Sequence, residues 1–417
     1  MIGAILEATL RLAVEWGWVV APIILALVFY ELWMYYIRSR FFRKMEWVLL
    51  RLVAPQEVLK TPLAMEQVFA VMHSIFVPPT FQEKYFQGRV QEWFSIELVS
   101  IGGAISFYIR TPRQFRNITE AALYSQYPEI EIHEAEDYIS QVPEHLPTES
   151  LEIFGSEFKM LRGNAYPLRT YIEFAFETKE REEQVDPIAE LVESLGRMRE
   201  GEHYWLQFII QPADNKWQEE GVKIVDEFMG RTEKGKSKKG HELLIDEVGA
   251  YLREFPQAPF VQLGSEETAK KDEKPKQYRF PSSYENAIIE AITRNISKVG
   301  FNSMIRGVYI APKELFEIPR YFSVIGYLRQ LSSQNLNGLK PDKITSAPPP
   351  FKKMKVRFAK KSLLFRYRNR LVPKKPFILS TETLATLFHF PSTTVTTPTM
   401  PRVEMKKGET PATLPTT

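Results

Sequence analysis

The stretch that decides the fold is Trp93-Phe-Ser-Ile-Glu-Leu-Val-Ser-Ile101-Gly-Gly103-Ala-Ile-Ser-Phe-Tyr-Ile-Arg110. Trp93–Ile101 and Ala104–Arg110 read as two strands, and the Gly102-Gly103 pair between them suits a tight hairpin turn. Upstream, Trp47–Val53 alternates like a strand. Thr61-Pro62 then opens a helix whose stripe is Leu63, Val68, Val71, Met72 and Ile75. Downstream, Thr111-Pro112 starts a second helix with Phe115, Ile118, Ala122 and Leu123 on one face. Pro128 bars its continuation, and Glu129–Ala135 alternates again. The order is β-α-β-β-α-β, which predicts a ferredoxin-like α+β unit over residues 45–140.

Residues 150–335 use similar materials. Leu151–Leu161, Arg169–Glu177, Tyr204–Gln211 and Ser303–Ile310 are strand candidates. Pro187–Met198, Lys216–Met229, Glu242–Glu254, Ser283–Lys298 and Pro312–Leu331 are helix candidates. They predict a second α+β domain, a diverged copy of the first being one reading. Two charged stretches, Arg231–Gly240 and Gly264–Lys276, are expected to be insertions within it. A segment over 340–390 follows, and the Thr/Pro-rich stretch Pro391–Thr417 reads as an extended tail.

The whole chain has 417 residues, enough for two or three domains. With 44% hydrophobic and 25% charged residues it is neither a wholly disordered chain nor a polytopic membrane protein. There is no cysteine, so disulfide frameworks, thiolate metal sites and cysteine nucleophiles are excluded together. The net charge of +3 conceals an asymmetry. Between Lys340 and Lys375 thirteen Lys or Arg face one acid, Asp342, a net of +12. Residues 376–417 balance to zero, so residues 1–339 carry −9. A basic patch is joined to an acidic body.

Trp16–Ile37 is the stretch that could span a bilayer. Its 22 residues make roughly 33 Å of helix. Trp16, Trp18, Trp33, Tyr35 and Tyr36 cluster towards its ends, where amphipathic rings favour the headgroup level. Glu31 costs on the order of 3 kcal/mol on insertion scales, which over twenty apolar residues offset. A cleaved signal peptide is the competing reading, but the start is not basic and the exit, Tyr35-Tyr36-Ile37-Arg38, offers no small-residue cleavage site. Arg38, Arg40, Arg43 and Lys44 follow the span and only Arg11 precedes it. This predicts an inner-membrane, single-pass anchor with its N-terminus outside and its C-terminal domains in the cytoplasm.

Catalytic motifs are weak. Gly230–Ser237 matches the phosphate-loop spacing, but apolar residues at helical spacing precede it, where that loop needs a strand, and it is crowded with Lys and Arg. A solvated basic linker is the expected reading. The six histidines are scattered without metal-ligand spacing. The acidic run Glu129 to Asp137 is expected to be a solvated face. No nucleophile elbow, dinucleotide fingerprint or kinase signature occurs. The chain is therefore expected to be non-enzymatic, with no cofactor and no metal.

The basic segment is more informative. Met354, Val356 and Phe358 alternate with Lys353, Lys355 and Arg357, and Leu363, Phe365 and Tyr367 alternate with Leu364, Arg366 and Arg368. With Ala359–Ser362 as a turn, this predicts a hairpin with one apolar and one cationic face. Like charges across strands repel, so the cationic face calls for an anion. Lys353, Lys355, Arg357, Arg366 and Arg368 could meet an acidic protein surface, DNA phosphates or anionic lipid.

Several strings carry a resemblance: Pro62-Leu-Ala-Met-Glu-Gln-Val-Phe69, Phe94 to Gly103, Phe107-Tyr-Ile-Arg-Thr-Pro112, Ala122 to Ile132, Ile378 to Pro391, and Pro401 to Pro415. They resemble the membrane-anchored N-terminal region that precedes the motor in type IV secretion and conjugation coupling-protein ATPases of the HerA-like group, which pump DNA. In that family an ATPase core follows the segment that here ends near Pro415. The resemblance implies that this chain is a membrane-side companion whose motor is a separate polypeptide. Leu384, Leu387, Phe388 and Phe390, at helical spacing, would then dock that ATPase; the alternative is that they pack on their own domain. A membrane-tethered nucleic-acid binder is the rival function, and a homo-oligomer stays open.

Overall fold

The computed structural model describes residues 2–55, 60–176, 186–231, 281–346, 351–373, 375–392 and 402–403. Helix α1 (Ile2–Lys44) leads into strand β1 (Trp47–Pro55). There follow α2 (Leu63–His73), β2 (Phe94–Ile101), β3 (Ala104–Pro112), α3 (Arg116–Gln126) and β4 (Glu131–Glu134). Gly102 and Gly103 at the β2–β3 turn have φ of +57° and +86°, as the hairpin requires. Strand β1 pairs with β3 and β4, and β3 with β2, all antiparallel. The order β4-β1-β3-β2 is the ferredoxin-like sheet expected from the β-α-β-β-α-β pattern.

The second half repeats it. Strand β5 (Leu151–Met160), helices α4 (Tyr171–Phe176) and α5 (Ala189–Gly196), strand β6 (His203–Pro212), helices α6 (Lys216–Phe228) and α7 (Ser283–Ile296), strand β7 (Gly300–Pro312), helix α8 (Phe322–Gln330) and strand β8 (Leu339–Ile344) follow in order. Read outward from β6, the strands run β6-β7-β5-β8, which matches β2-β3-β1-β4. The two expected domains are thus halves of one sheet. They join along the full length of β2 against β6, from Phe94 opposite Ile210 to Ile101 opposite His203. Each half alone would leave that strand edge open, and the pairing closes it. Across the seam Lys298 Nζ meets Glu66 at 2.8 Å.

Three sequence expectations need correction. Arg169–Glu177 is not a strand: α4 occupies Tyr171–Phe176 in the crossover between β5 and β6, and a short apolar run does not by its periodicity distinguish the two. Residues after Pro312 do not form one long helix, because β7 runs to Pro312 and α8 begins only at Phe322. The basic segment is not a hairpin. It is a single helix, α9 (Lys352–Arg368), because Ala359–Ser362 has no glycine or asparagine to turn the chain and consists of residues a helix accepts. Strand β9 (Phe377–Ser380) and helix α10 (Thr381–Leu387) follow. Helix Glu242–Glu254, insertion Gly264–Lys276 and most of Arg231–Gly240 lie outside the described residues. So does most of the tail, from which Arg402–Val403 (β10) pairs parallel with Ala54–Pro55.

Strand alternation assigns the two faces. Leu50, Ile96, Phe107, Leu206 and Ile305 belong to the larger core, with α2, α3, α5, α8 and α10 over it. Leu49, Val99, Tyr108, Trp205 and Val308 face the other way, under Tyr138–Leu146 and the buried stripe Leu363, Leu364 and Tyr367 of α9. A four-stranded ferredoxin-like sheet with helices on one side leaves its other face bare. Here α9 covers it.

Among the described residues one helix is long and apolar enough to cross a membrane, over Ala21–Lys44. Its foot is fastened to the sheet: Phe42 meets Trp93 edge-on at 5.5 Å, and Trp93 lies 5.0 Å from Trp47.

Candidate functional site

Strand alternation predicts apolar residues on a covered face, yet under α9 a charged or amide side chain at mid-strand on four neighbouring strands breaks the pattern. Glu97 on β2 lies directly opposite Gln207 on β6, Gln207 opposite Arg306 on β7, and Arg306 opposite Glu157 on β5. All four are buried, with exposures of 2% or less. A row of polar side chains crosses the seam between the halves.

The row is closed by hydrogen bonds. Arg306 Nε donates to Glu157 Oε1 at 2.8 Å and its Nη1 to Gln207 Oε1 at 3.3 Å. Gln207 Nε2 donates to Glu97 Oε1 at 3.0 Å. Ser95 Oγ and Tyr138 Oη donate to Glu97 at 2.5 and 2.8 Å. From the end of α9, Arg370 places Nε on Glu97 Oε1 at 3.0 Å and Nη2 on Oε2 at 3.2 Å, and the same guanidinium reaches both oxygens of Asp137. Arg366 Nε and Lys343 Nζ reach Glu157 at 2.8 and 3.0 Å. Removing such ions from water costs several kcal/mol each unless every group is paired. Here the pairing is dense.

The electrostatics follow. Burial alone would raise the Glu97 carboxyl, but Arg370 and its hydrogen-bond donors hold it below the usual carboxylate range. For Glu157 the same opposition, with Arg306, Arg366 and Lys343 on the winning side, brings it to about 2. Burial and the Arg370 charge bring Arg110 down to about 10. The Tyr138 and Tyr367 hydroxyls, 2.8 Å apart, are pushed well up by burial and by Glu97. The carboxylates are held charged and the tyrosines neutral, the reverse of a pair poised for proton transfer. The row fastens α9 and the 137–146 segment to the sheet.

Arg370 also carries backbone strain. It follows α9 at φ +48°, in the left-handed position where helices usually place glycine. Its N–H bonds the Tyr367 carbonyl at 3.0 Å and that of Leu371 the Arg366 carbonyl at 3.1 Å. A non-glycine residue there costs roughly 1–2 kcal/mol, offset here by the guanidinium between two carboxylates.

The residues expected to carry function distribute unevenly. Trp16 falls within α1. Trp18, Tyr35, Arg38, Arg40 and Lys44 are exposed on it, Arg43 caps the Ser39 carbonyl, and Trp33 Nε1 donates to the Tyr85 carbonyl at 2.9 Å. Lys353, Lys355 and Arg357 are exposed on the first half of α9. Arg366 is spent on Glu157 and Arg368 on the Val142 and Pro143 carbonyls, so the five cations do not form one free surface. Leu384, Leu387, Phe388 and Phe390 are buried at 2% or less and do not form an outward docking face. Phe388 and Phe390 meet Phe107 edge-on at 5.5 and 5.3 Å, and Phe390 meets Tyr127 at 5.1 Å. All seven residues of α10 are buried, the polar Thr381, Glu382, Thr383 and Thr386 as well as Leu384, Ala385 and Leu387.

Gly230 follows helix α6 rather than a strand, and the rest of the Gly230–Ser237 motif lies outside the described residues. Among the described residues no group of three His, Asp or Glu side chains is placed to hold a metal ion. An open groove of about 680 Å³ lies between β8 and α9, lined by Lys343, Ile344, Phe358, Ser362 and Arg366. Sequence reasoning missed Glu97, Gln207, Arg306, Glu157, Asp137 and Arg370. The available signal was one charge or amide in the middle of four apolar strands, with opposite charges at Arg306 on β7 and Glu157 on β5.

A comparison with curated proteins finds none that matches. A family model described as a domain of unknown function, DUF8128, matches residues 60–402, from the start of α2 to the two-residue strand at the end of the described chain. The match takes in both halves of the sheet, the polar row and α9, and on that extent the chain belongs to the DUF8128 family.

Proposed function

We propose that the chain is a membrane-anchored, non-catalytic component of a type IV secretion or conjugation-like DNA-translocation machine. It would lie in the inner membrane with its body in the cytoplasm and dock a separate HerA-like ATPase there. The observation that carries this reading is the joint between α1 and the sheet. An apolar helix whose foot meets Trp93 edge-on through Phe42 would hold the body close under a bilayer instead of leaving it on a loose tether. The resemblance of the strings around Pro62, Phe94, Ala122 and Ile378 to the anchored region of coupling-protein ATPases supports the choice of machine. With α10 buried, the exposed outer face of α9 becomes the surface to test for ATPase docking. Affinity purification of the detergent-solubilised chain from its native membrane tests the reading. A stoichiometric HerA-like ATPase identified by mass spectrometry is expected. ATP turnover by the purified chain alone, or extraction of the chain by alkaline carbonate, overturns it.

A nucleic-acid-binding role without a motor is the second reading, favoured by the exposed cations Lys352, Lys353, Lys355, Arg357 and Lys361 on α9. It requires DNA affinity that falls steeply with salt and falls again when Lys353, Lys355 and Arg357 become alanine. Salt-independent binding, or none, dismisses it.

A further inference from the structure

Between α2 and β2 the chain makes an excursion, residues 77–88, that belongs to neither core. It ends in a single wide turn, Glu83–Gln87, and packs along one stripe of α1. Trp33 Nε1 donates to the Tyr85 carbonyl at 2.9 Å, and the Tyr30 and Tyr85 rings lie 6.5 Å apart. Met34 and Ile37 are buried at 4% and 3% on a helix otherwise largely exposed. Gly88, at φ +70°, allows the closest approach: a Cβ there would stand 2.4 Å from the Ile37 carbonyl carbon.

These contacts set a depth. Tyr30, Trp33, Met34 and Ile37 occupy the last two turns of the apolar stretch, ahead of Arg38 and Arg40. At 1.5 Å per residue, Tyr30 lies about 12 Å along the helix from Arg38. If α1 spans a bilayer with those arginines at the headgroups, the excursion stands beside it at the boundary of headgroups and acyl chains. Its composition suits that level. Phe81, Phe86 and Val77 are 74%, 65% and 50% exposed. Glu83 is paired with Arg89 at 2.6 Å and bonded by the Thr80 N–H and hydroxyl at 2.9 and 3.0 Å. The N–H groups of Lys84 and Arg89 bond the Thr80 and Glu83 carbonyls. Backbone groups and Glu83 bonded internally, aromatic rings turned outward and the exposed polar tips of Gln82, Lys84 and Gln87 between them suit the lipid interface, where apolar rings and polar heads meet.

We propose that residues 77–88 form a second membrane anchor, Phe81 and Phe86 entering the lipid interface beside α1. The occupant of this face is lipid, argued from its continuity with the apolar helix it lies on. This rests on the reading of α1 as a membrane span. It adds that the body is held at two points and so has a set orientation to the bilayer.

Because the chain has no cysteine, single-cysteine variants test the proposal directly. Ile24→Cys, Phe81→Cys, Phe86→Cys and, as a water-exposed reference on α8, Phe322→Cys are labelled with an environment-sensitive fluorophore. The full chain is then reconstituted into phosphatidylcholine–phosphatidylglycerol vesicles containing lipids spin-labelled at shallow or deep acyl positions. The expected result is deep quenching at residue 24, and shallow quenching at 81 and 86 several-fold stronger than at 322. Quenching at 24 with 81 and 86 behaving like 322 overturns the second anchor and leaves the first standing. Lipid-insensitive emission at 81 and 86 that shifts with protein concentration assigns the face to protein and overturns it too. No quenching at 24 removes the span, and the proposal falls with it.

Discussion

Arg370 holds the Glu97 carboxylate by both oxygens, Nε to Oε1 at 3.0 Å and Nη2 to Oε2 at 3.2 Å, although the two residues are 273 positions apart in sequence. This fork joins the end of α9 to the strand at the seam of the two halves. Both side chains are 1% exposed or less. Removing one partner of a buried pair costs about 3–5 kcal/mol. Arg370→Leu and Glu97→Gln are each expected to lower stability by that order, and the double variant by less than their sum. Arg370→Gly relieves the left-handed backbone yet is still expected to be destabilising, because Glu97 and Asp137 lose their common partner. Urea unfolding followed by tryptophan fluorescence measures this, Trp205 lying 5.5 Å from Tyr367 under α9. A neutral Arg370→Gly would show that the guanidinium contributes nothing net.

Acid should weaken the fold in two stages. Burial lowers the His73 and His203 pKa values below 6.5, so below that pH the unfolded chain binds more protons than the folded one and stability declines. Glu157 and Asp186 are held at about 2 against ordinary values of 4.5 and 3.8; burial opposes this, and Arg306 in the first case and His389 in the second prevail. Their contribution is complete above the ordinary values and is lost as pH falls from about 4.5 towards 2, each on the order of 2–3 kcal/mol. Glu97 and Asp137 act in the same direction. Urea midpoints measured from pH 8 to 3 are expected to fall first near neutrality and again below pH 4.5. A flat profile refutes both stages.

Gly88→Ala should separate α1 from the excursion. The new methyl meets the Ile37 backbone at both its carbon and its oxygen, and the φ of +70° disfavours any side chain. A loss of at least about 1 kcal/mol is expected, and protease should gain access at residues 77–88 while the sheet stays folded. Unchanged protection would mean that the close approach is not needed.

The cations of α9 should divide. Lys353→Ala, Lys355→Ala and Arg357→Ala, all exposed, are expected to change stability by no more than about 0.5 kcal/mol. Arg366→Ala takes a donor from the buried Glu157 and should cost about 1–3 kcal/mol. Thermal melts of the four variants test the division, and equal effects would contradict it.

The β-α-β-β-α-β order, the Gly102-Gly103 hairpin and the helices at Lys216 and Ser283 were legible because each rests on local chemistry: period, turn residue, cap. So was an N-terminal helix of membrane-spanning length, which needs only a run of apolar residues. The α9 segment misled because period-2 alternation over six residues does not exclude a helix: Met354 and Phe358 stay exposed on α9, and the bare sheet face that Leu363, Leu364 and Tyr367 cover decides for it. The same holds for the residues after α10, where Phe388 and Phe390 read as an adhesive surface in the sequence but pack against Phe107 and Tyr127.

What the amino-acid order determined alone was the elements of the first half and their topology, because these depend on neighbours within a few residues. What only the tertiary structure decided was the seam of β2 and β6, the polar row across it and the Arg370 clasp, because pairing between residues about a hundred or more positions apart leaves no periodic trace in the chain. A single Glu in an apolar strand reads as noise until the strand beside it supplies Gln207, and the next supplies Arg306.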